Sequence, residues 1–235
     1  GNEYGYGSYP RILTQLEFEQ LLAAQEEPGQ GDDNVSSTLA QCIPNNVTMI
    51  QCVGPAENYC SRICCTTALK NGLKLKELNP EAQITILYRD IRTYGFKERL
   101  YTQARDAGIR FAHYEFDQKP QVELLPDLDP QRSAIEVRAW EPQLSREMIL
   151  NPDLLVLSTP VVPSRGMREL ASRLKLSTDM DGFFLEAHVK LRPVDFAADG
   201  VFMAGLAHYP KFLDETIAQA QASASRAAII LSQEF

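Results

Sequence analysis

The stretch Val47-Thr-Met-Ile-Gln-Cys52-Val53, Gly54-Pro55, then Asn58-Tyr-Cys60-Ser-Arg62-Ile-Cys64-Cys65 and an apolar stripe to Leu78 decides the fold. Its first seven residues form a short apolar run, the pattern of a buried strand, and Gly54-Pro55 turns the chain. From about Ser61 to Leu78, the positions Ala68, Leu69, Leu73, Leu75 and Leu78 recur at helical spacing. Asn79-Pro80 ends that helix, because a proline disfavours helical backbone in the residue before it. Ile84–Tyr88 is then a second strand, Phe96–Ala107 a second helix and, after Gly108, Ile109–His113 a third strand. Strand, helix, strand, helix, strand is the parallel, doubly wound pattern of an α/β fold.

The same stretch concentrates the thiols. Cys52, Cys60, Cys64 and Cys65 lie within fourteen residues, and Cys42 stands apart in a polar segment. Adjacent Cys64 and Cys65 are poorly placed to bond to each other, whereas a multi-iron cluster takes neighbouring thiolates onto different irons. The spacing C-x7-C-x3-C-C matches neither paired zinc knuckles nor the regular ferredoxin run. Read from the residues alone, an iron–sulfur cluster, a structural zinc, a redox-active disulfide and simple apolar packing all remain open.

Outward from this centre, Leu13–Ala24 reads as a short helix capped by Thr14, and Glu26–Asn46 as a Gly-, Asp- and Ser-rich connection. Two antiparallel strands are expected around Val122–Leu125 and Ser133–Ala139, and a buried strand at Leu154–Ser158. After Pro160 the rhythm changes. A helix at Glu169–Leu174, an extended Leu185–Val194, a strand at Val201–Gly205 and an Ala-rich helix from about Asp214 to Ser232 are predicted. The expected division is 1–46, an N-terminal segment; 47–160, the middle domain; and 161–235, the end of a second domain.

Asp199-Gly-Val-Phe-Met-Ala-Gly205 resembles the strand that closes the flavin domain in two-dinucleotide-fold disulfide reductases, and Thr216-Ile-Ala-Gln219 would open the helix after it. A helix start there favours negative charge at the flavin. Two features depart from that pattern: Leu206-Ala207 stands where an Asp is usual, and Cys52-Val-Gly54-Pro-Ala-Glu57 lacks G-x-G-x-x-G.

Over nearly its whole length the chain resembles the A-subunit family of heterodisulfide reductases, with its relatives in quinone-interacting membrane-bound oxidoreductase complexes. The carriers are Tyr9–Glu19, Ile50–Gly54 with Tyr59–Cys65, Tyr88-Arg-Asp-Ile-Arg92, His188–Asp195, and Asp199–Gly205 with Pro210–Ala220. The resemblance implies a thioredoxin-reductase-like, Rossmann-type α/β middle domain joined to the C-terminal part of a flavin-binding domain. It implies an iron–sulfur cluster (4Fe-4S) on Cys52, Cys60, Cys64 and Cys65. It also implies a flavin-side Lys70 with a carboxylate companion, Glu17 or Glu19, and a flavin edge at Gly205, Leu206, Thr216 and Ile217. FAD is expected in the full-length protein and weakly or not at all on these 235 residues, because the Gly-rich pyrophosphate loop lies elsewhere.

Net charge of −8 disfavours nucleic acid as a partner, and no apolar run approaches the ~18–20 residues of a membrane span. The opening residues lack the pattern of a signal peptide, and clustered thiols in uneven number suit a reducing compartment. A cytoplasmic location without direct membrane insertion is therefore expected. The chain is read as a C-terminal portion of an oxidoreductase subunit relaying electrons between FAD, the cluster and other subunits of a redox complex. Homo-oligomerisation through the exposed edge of an incomplete sheet is a further expectation. The alternatives are a thiol–disulfide oxidoreductase using Cys60 and Cys64, and a non-catalytic docking module.

Overall fold

A computed structural model describes residues 3–26, 43–125, 134–143 and 145–232. In chain order the regular elements are β1 (Ile12–Thr14), α1 (Gln15–Glu26), β2 (Asn46–Ile50), α2 (Ile63–Leu78), β3 (Gln83–Tyr88), α3 (Glu98–Asp106) and β4 (Arg110–His113). They continue with β5 (Gln121–Leu124), β6 (Ile135–Glu141), β7 (Arg146–Leu150), β8 (Leu154–Leu157), α4 (Met167–Leu174) and α5 (Leu213–Leu231). The chain divides into two units: residues 1–60 with 64–160, and residues 61–63 with 161–235.

The first unit is built on a five-stranded parallel sheet in the order β1-β8-β2-β3-β4. β2 is its middle strand, with Val47 beside Ile84 of β3 on one flank and Leu154 of β8 on the other. Alternation of side chains along a strand divides the sheet's residues between two faces. Val47, Met49, Ile84, Ile86 and Val156 pack under the helices with Phe18, Leu21, Leu69 and Ala104. Ile50, Leu87, Leu155 and Leu157 pack on the other face against Ile135 and Val137 of β6. That second face is covered by the antiparallel sheet β5-β6-β7. A parallel strand buried on both sides reads as a near-continuous apolar run, the signature that Val47–Val53 and Leu154–Leu157 carry.

The antiparallel strands fall close to their predicted places; Ser133 lies outside the described residues. Two expectations need correction. The N-terminal segment is not separate from the sheet: β1 adds to the β8 edge in parallel, and Phe18, Leu21 and Leu22 of α1 enter the main core. Leu13, assigned to a helix by its spacing from Leu16, is in β1, and the helix starts one residue after Thr14. Thr14 does cap it. The Glu17 backbone N–H donates to Thr14 Oγ1 at 3.3 Å, and Glu17 Oε2 accepts from the Thr14 N–H at 2.7 Å. This reciprocal pair satisfies donors that a helix start leaves unpaired.

The second unit has little sheet. Val201–Gly205, expected as a strand, makes one bridge, Asp195 with Phe202, beside a hydrogen bond from the Met203 N–H to the Val194 carbonyl. Its core is small, made of Met167, Ala171, Phe184, Phe196 and Met203. None of the residues of α5 is buried. Glu215, Gln219, Ser223 and Arg226, spaced 4, 4 and 3, form one stripe along it. Through them α5 holds Arg62, Gly205, the Met203 carbonyl and Asp195. The helix is fixed by hydrogen bonds and ion pairs where a globular helix ordinarily uses an apolar face.

Phe18 is fully buried in the core shared with β2 and α2. Phe18→Ala should therefore lower stability by about 3–5 kcal/mol, as for other buried aromatics. Denaturant unfolding followed by circular dichroism checks this; a change below about 1 kcal/mol would return residues 12–26 to a separate segment.

Candidate functional site

The cysteines stand where the middle strand gives way to α2. Past Ile50, the Gln51 N–H donates to the Leu87 carbonyl at 2.9 Å, and its carbonyl accepts from the Tyr114 hydroxyl at 2.6 Å. The ladder therefore continues to the last residue before Cys52. Cys52 has φ 60° and Arg62 φ 62°, a left-handed backbone that a residue with a Cβ seldom adopts. Such strain persists where surroundings enforce it, and it concentrates at functional sites. β2 leads to β3 on one side, while its other neighbour, β8, arrives later in the chain. The loop after β2 thus lies at a switch point on the carboxyl side of a parallel sheet, where α/β folds bind ligands.

Cys60 is exposed, Cys52 and Cys64 are half-buried and Cys65 is buried; none of the four is in a disulfide. Cys65 Sγ donates to the Asp90 carbonyl at 3.6 Å. Burial, then the neighbouring Cys65 and Cys60, pushes the Cys64 thiol up to about 12. Burial likewise pushes Cys65 up to about 11, with Cys52 and Cys60 adding to the rise. Cys52, Cys60 and Cys65 are thus near enough to Cys64 to make its ionisation harder. Among the described residues no three His, Cys, Asp or Glu side chains converge on a single metal ion. Cys42 lies outside the described residues.

The loop after β3 supplies charges that the spacing of cysteines did not reveal. Arg89 favours the thiolate of Cys52, as does Arg92, while Asp90 opposes it. Arg92 Nε is paired with Asp90 Oδ2 at 2.7 Å, and the Arg89 guanidinium lies 5.3 Å from the centre of the Phe116 ring. The signal for them was two arginines directly after a buried strand, within Tyr88-Arg-Asp-Ile-Arg92. Arg62, by its position in sequence equally suited to the cysteines or to Glu57, instead grips Glu215 with both guanidinium nitrogens at 3.1 Å. It also donates to the Pro210 carbonyl at 3.0 Å. Glu57 is paired with Lys119.

Lys70 is on the exposed side of α2, with Nζ 2.6 Å from Glu19 Oε1. Of the two carboxylates considered, Glu19 is the one that meets it. Glu17 is committed to the Thr14 cap and to the Tyr6 hydroxyl, at 2.9 Å. Lys70 and Glu19 line a cleft of about 410 Å³ together with Leu22, Ala23, Leu73 and Leu100. Lys74 and Glu77 add two further charges to that lining, and most of its residues are polar.

In the second unit Gly205 has φ 72°, and a Cβ there would stand 3.4 Å from Thr216 Cγ2. Its N–H donates to Gln219 Oε1 at 2.9 Å, and its carbonyl accepts from Lys211 Nζ at 3.1 Å. The peptide groups of Gly205 are thereby engaged within the unit, so its part is to shape the turn. Leu206 and Ile217 are exposed; the Thr216 N–H donates to the Phe212 carbonyl at 2.9 Å. A backbone N–H can only donate, so Gln219 turns its oxygen to Gly205 and its amide nitrogen to His208 Nδ1, 2.8 Å away. His208 Nε2 then carries the proton and donates to Glu186 Oε2 at 2.8 Å. His188 closes a turn, its Nδ1 accepting from the Lys190 and Leu191 N–H groups.

No protein-family model matches the chain. It is 36% identical to the A-subunit of the ferredoxin:CoB-CoM heterodisulfide reductase of Methanosarcina acetivorans, over 96% of this chain and 31% of that protein. It is 37% identical to an iron-sulfur A-subunit of the CoB--CoM heterodisulfide reductase of Methanopyrus kandleri, over 98% of this chain and 35% of that protein. The chain is a homologue of the heterodisulfide reductase A-subunit. It spans about a third of the length of these relatives, whose names mark them as oxidoreductase subunits. Lactococcus lactis thioredoxin reductase is similar in structure, with TM-score 0.51 and 16% identity over 80% of this chain and 54% of that one. That likeness establishes the α/β, Rossmann-like fold. Among the described residues no helix is long and apolar enough to cross a membrane.

Burial holds the Lys211 ammonium down to about 8, against an ordinary 10.5. Between those values the unfolded chain keeps a proton that the folded one has released, so this residue makes stability rise with pH across that window. Lys211→Met should remove the rise, giving a melting temperature that falls relative to wild type between pH 8 and 10. Parallel melting curves for the two proteins would contradict the assignment; thiols titrating in the same range are common to both.

Proposed function

We propose that the chain is part of an iron–sulfur flavoprotein oxidoreductase subunit. In this reading it relays electrons between FAD, a 4Fe-4S cluster on Cys52, Cys60, Cys64 and Cys65, and partner subunits in the cytoplasm. The observation that carries the reading is the gathering of four cysteines at the switch point of the parallel sheet, with Cys64 and Cys65 made hard to ionise by burial and by neighbouring sulfurs. With no iron bound, Cys64 and Cys65 stay protonated at neutral pH, since burial and the neighbouring sulfurs oppose ionisation. A cationic iron core removes that opposition and requires thiolates spread around a volume, one to an iron. The donor set fits a cluster in number and chemistry. Arg89 and Arg92 would offset part of its negative charge.

When bound, the cluster and FAD supply one- and two-electron redox chemistry. The protein's part is to hold and tune them. Lys70, oriented by Glu19, would favour negative charge on a reduced flavin. Leu206, Thr216 and Ile217 would pack at the flavin edge, on a turn shaped by Gly205, Gln219 and Lys211. A thiol–disulfide mechanism is less well supported, because an attacking thiol needs a lowered pKa and Cys64 has the reverse.

The test is metal analysis and EPR on the full-length protein purified anaerobically. Iron bound at this site and an EPR signal on reduction are expected. Cys64→Ser or Cys65→Ser should lose both, and Cys42→Ser should keep them. One zinc per chain in place of iron, or retention of iron at the site after Cys64→Ser, would overturn the reading. This chain by itself should show no sub-micromolar FAD binding in a flavin-fluorescence titration.

A further inference from the structure

Gln51 is fully buried, and neither its side-chain oxygen nor its nitrogen has a hydrogen-bond partner. A buried amide left unpaired costs about 1–3 kcal/mol, and native interiors retain few of them. Its backbone is fully engaged, by Leu87 on the N–H and by Tyr114 on the carbonyl, so the side chain is held in place. Strand alternation puts Gln51 on the face of Met49, the one packed under α1 and α2. On that face the polar groups level with it across the sheet, Ser158 after β8 and Gln15 after β1, do find partners. Gln15 Nε2 donates to Ser158 Oγ at 3.1 Å, and Asn71 Nδ2 donates to Gln15 Oε1 at 2.9 Å.

Two of the orphan side chains instead adjoin cysteines in the chain. Gln51 directly precedes Cys52, and Thr66, whose buried Oγ1 is also unpartnered, directly follows Cys65. The other orphan hydroxyls among the described residues, Thr48 and Thr85, face each other within the strands as register partners. Unmet donors thus belong to the immediate chain neighbours of two of the four cysteines, one after β2 and one in the first turn of α2.

We infer that the Gln51 side-chain amide is a positioning residue for the iron–sulfur centre, its Nε2–H donating to a cluster sulfur. The inference rests on the cluster assignment proposed above. Anionic sulfide and thiolate sulfurs accept hydrogen bonds, and such donors are among the features that set cluster potentials. A donor aimed at sulfur offsets part of the negative charge gained on reduction, so it raises the reduction potential. The backbone that carries the amide is held by the Leu87 carbonyl of β3 and by the Tyr114 hydroxyl, before the cluster is inserted.

The test uses the full-length holoprotein, grown with amide-15N-glutamine, and its Gln51→Leu variant. Pulsed EPR on the reduced cluster should show a 15N coupling in the wild type that is absent from Gln51→Leu. The variant should keep its iron, and its potential should shift to more negative values, a roughly two- to tenfold change in the reduction equilibrium, the worth of one hydrogen bond. An iron-loaded wild type without 15N coupling, or a variant of unchanged potential, would overturn the inference and show that the amide pairs with water. A wild type without iron would instead overturn the cluster reading itself. If Gln51→Leu fails to fold, Gln51→Met and the wild-type coupling decide the matter.

Discussion

A parallel strand buried on both faces has no exposed side on which to place polar side chains, and β2 is such a strand. Its register with β3 and β8 is enforced by Val47 and Met49 under the helices and by Ile50 against β6. A slip of one residue would exchange these faces. That constraint fixes where the strand ends, and so where Cys52 leaves the sheet. It also obliges Gln51, one residue beyond the strand, to be wholly buried despite its amide. The placement of the thiols follows from the packing of a strand that contains none of them.

Electrostatics at the strand's end then narrow the chemistry. Burial raises Cys52, Cys64 and Cys65, and neighbouring sulfurs add to the rise of each of the three. Packing alone would favour isolated, inert cysteines, and nucleophilic catalysis would favour one lowered thiol. Cys64 and Cys65 are instead raised together, close to Cys52 and Cys60, with the arginines of the β3 loop near Cys52. The left-handed backbone at Cys52 and Arg62 marks local strain in the cysteine segment, of the kind that surroundings must enforce.

The second unit obeys a different logic. α5 is nineteen residues long and buries none of them, yet it is tied down at regular intervals by Glu215, Gln219, Ser223 and Arg226. Each tie is to a charged or backbone group whose partner is specific, such as Asp195 for Arg226 at 2.9 Å. Polar ties select one geometry more sharply than apolar contact does, because a displaced hydrogen bond leaves both of its groups unpaired. The Gly205 turn inherits that precision through Gln219 and Lys211.

Apolar periodicity and turn residues were enough to read the α/β alternation, the helix from the cysteines to Leu78 and the helix after Pro210. These are local patterns, and burial on one or two faces writes them directly into residue order. The four cysteines were legible for the same reason, being neighbours in sequence. The flavin-side assignments to Lys70, Gly205, Leu206, Thr216 and Ile217 rested on family resemblance. Tertiary structure decided what spacing could not carry: that β1 and α1 complete the sheet, that Glu19 and not Glu17 meets Lys70, and that Arg62 turns to Glu215. It alone showed Arg89 and Arg92 beside the thiols and Gln51 without a partner. Those facts depend on residues far apart in the chain, or on neighbours that are missing, and a pairing of that kind leaves no period in the sequence to be read.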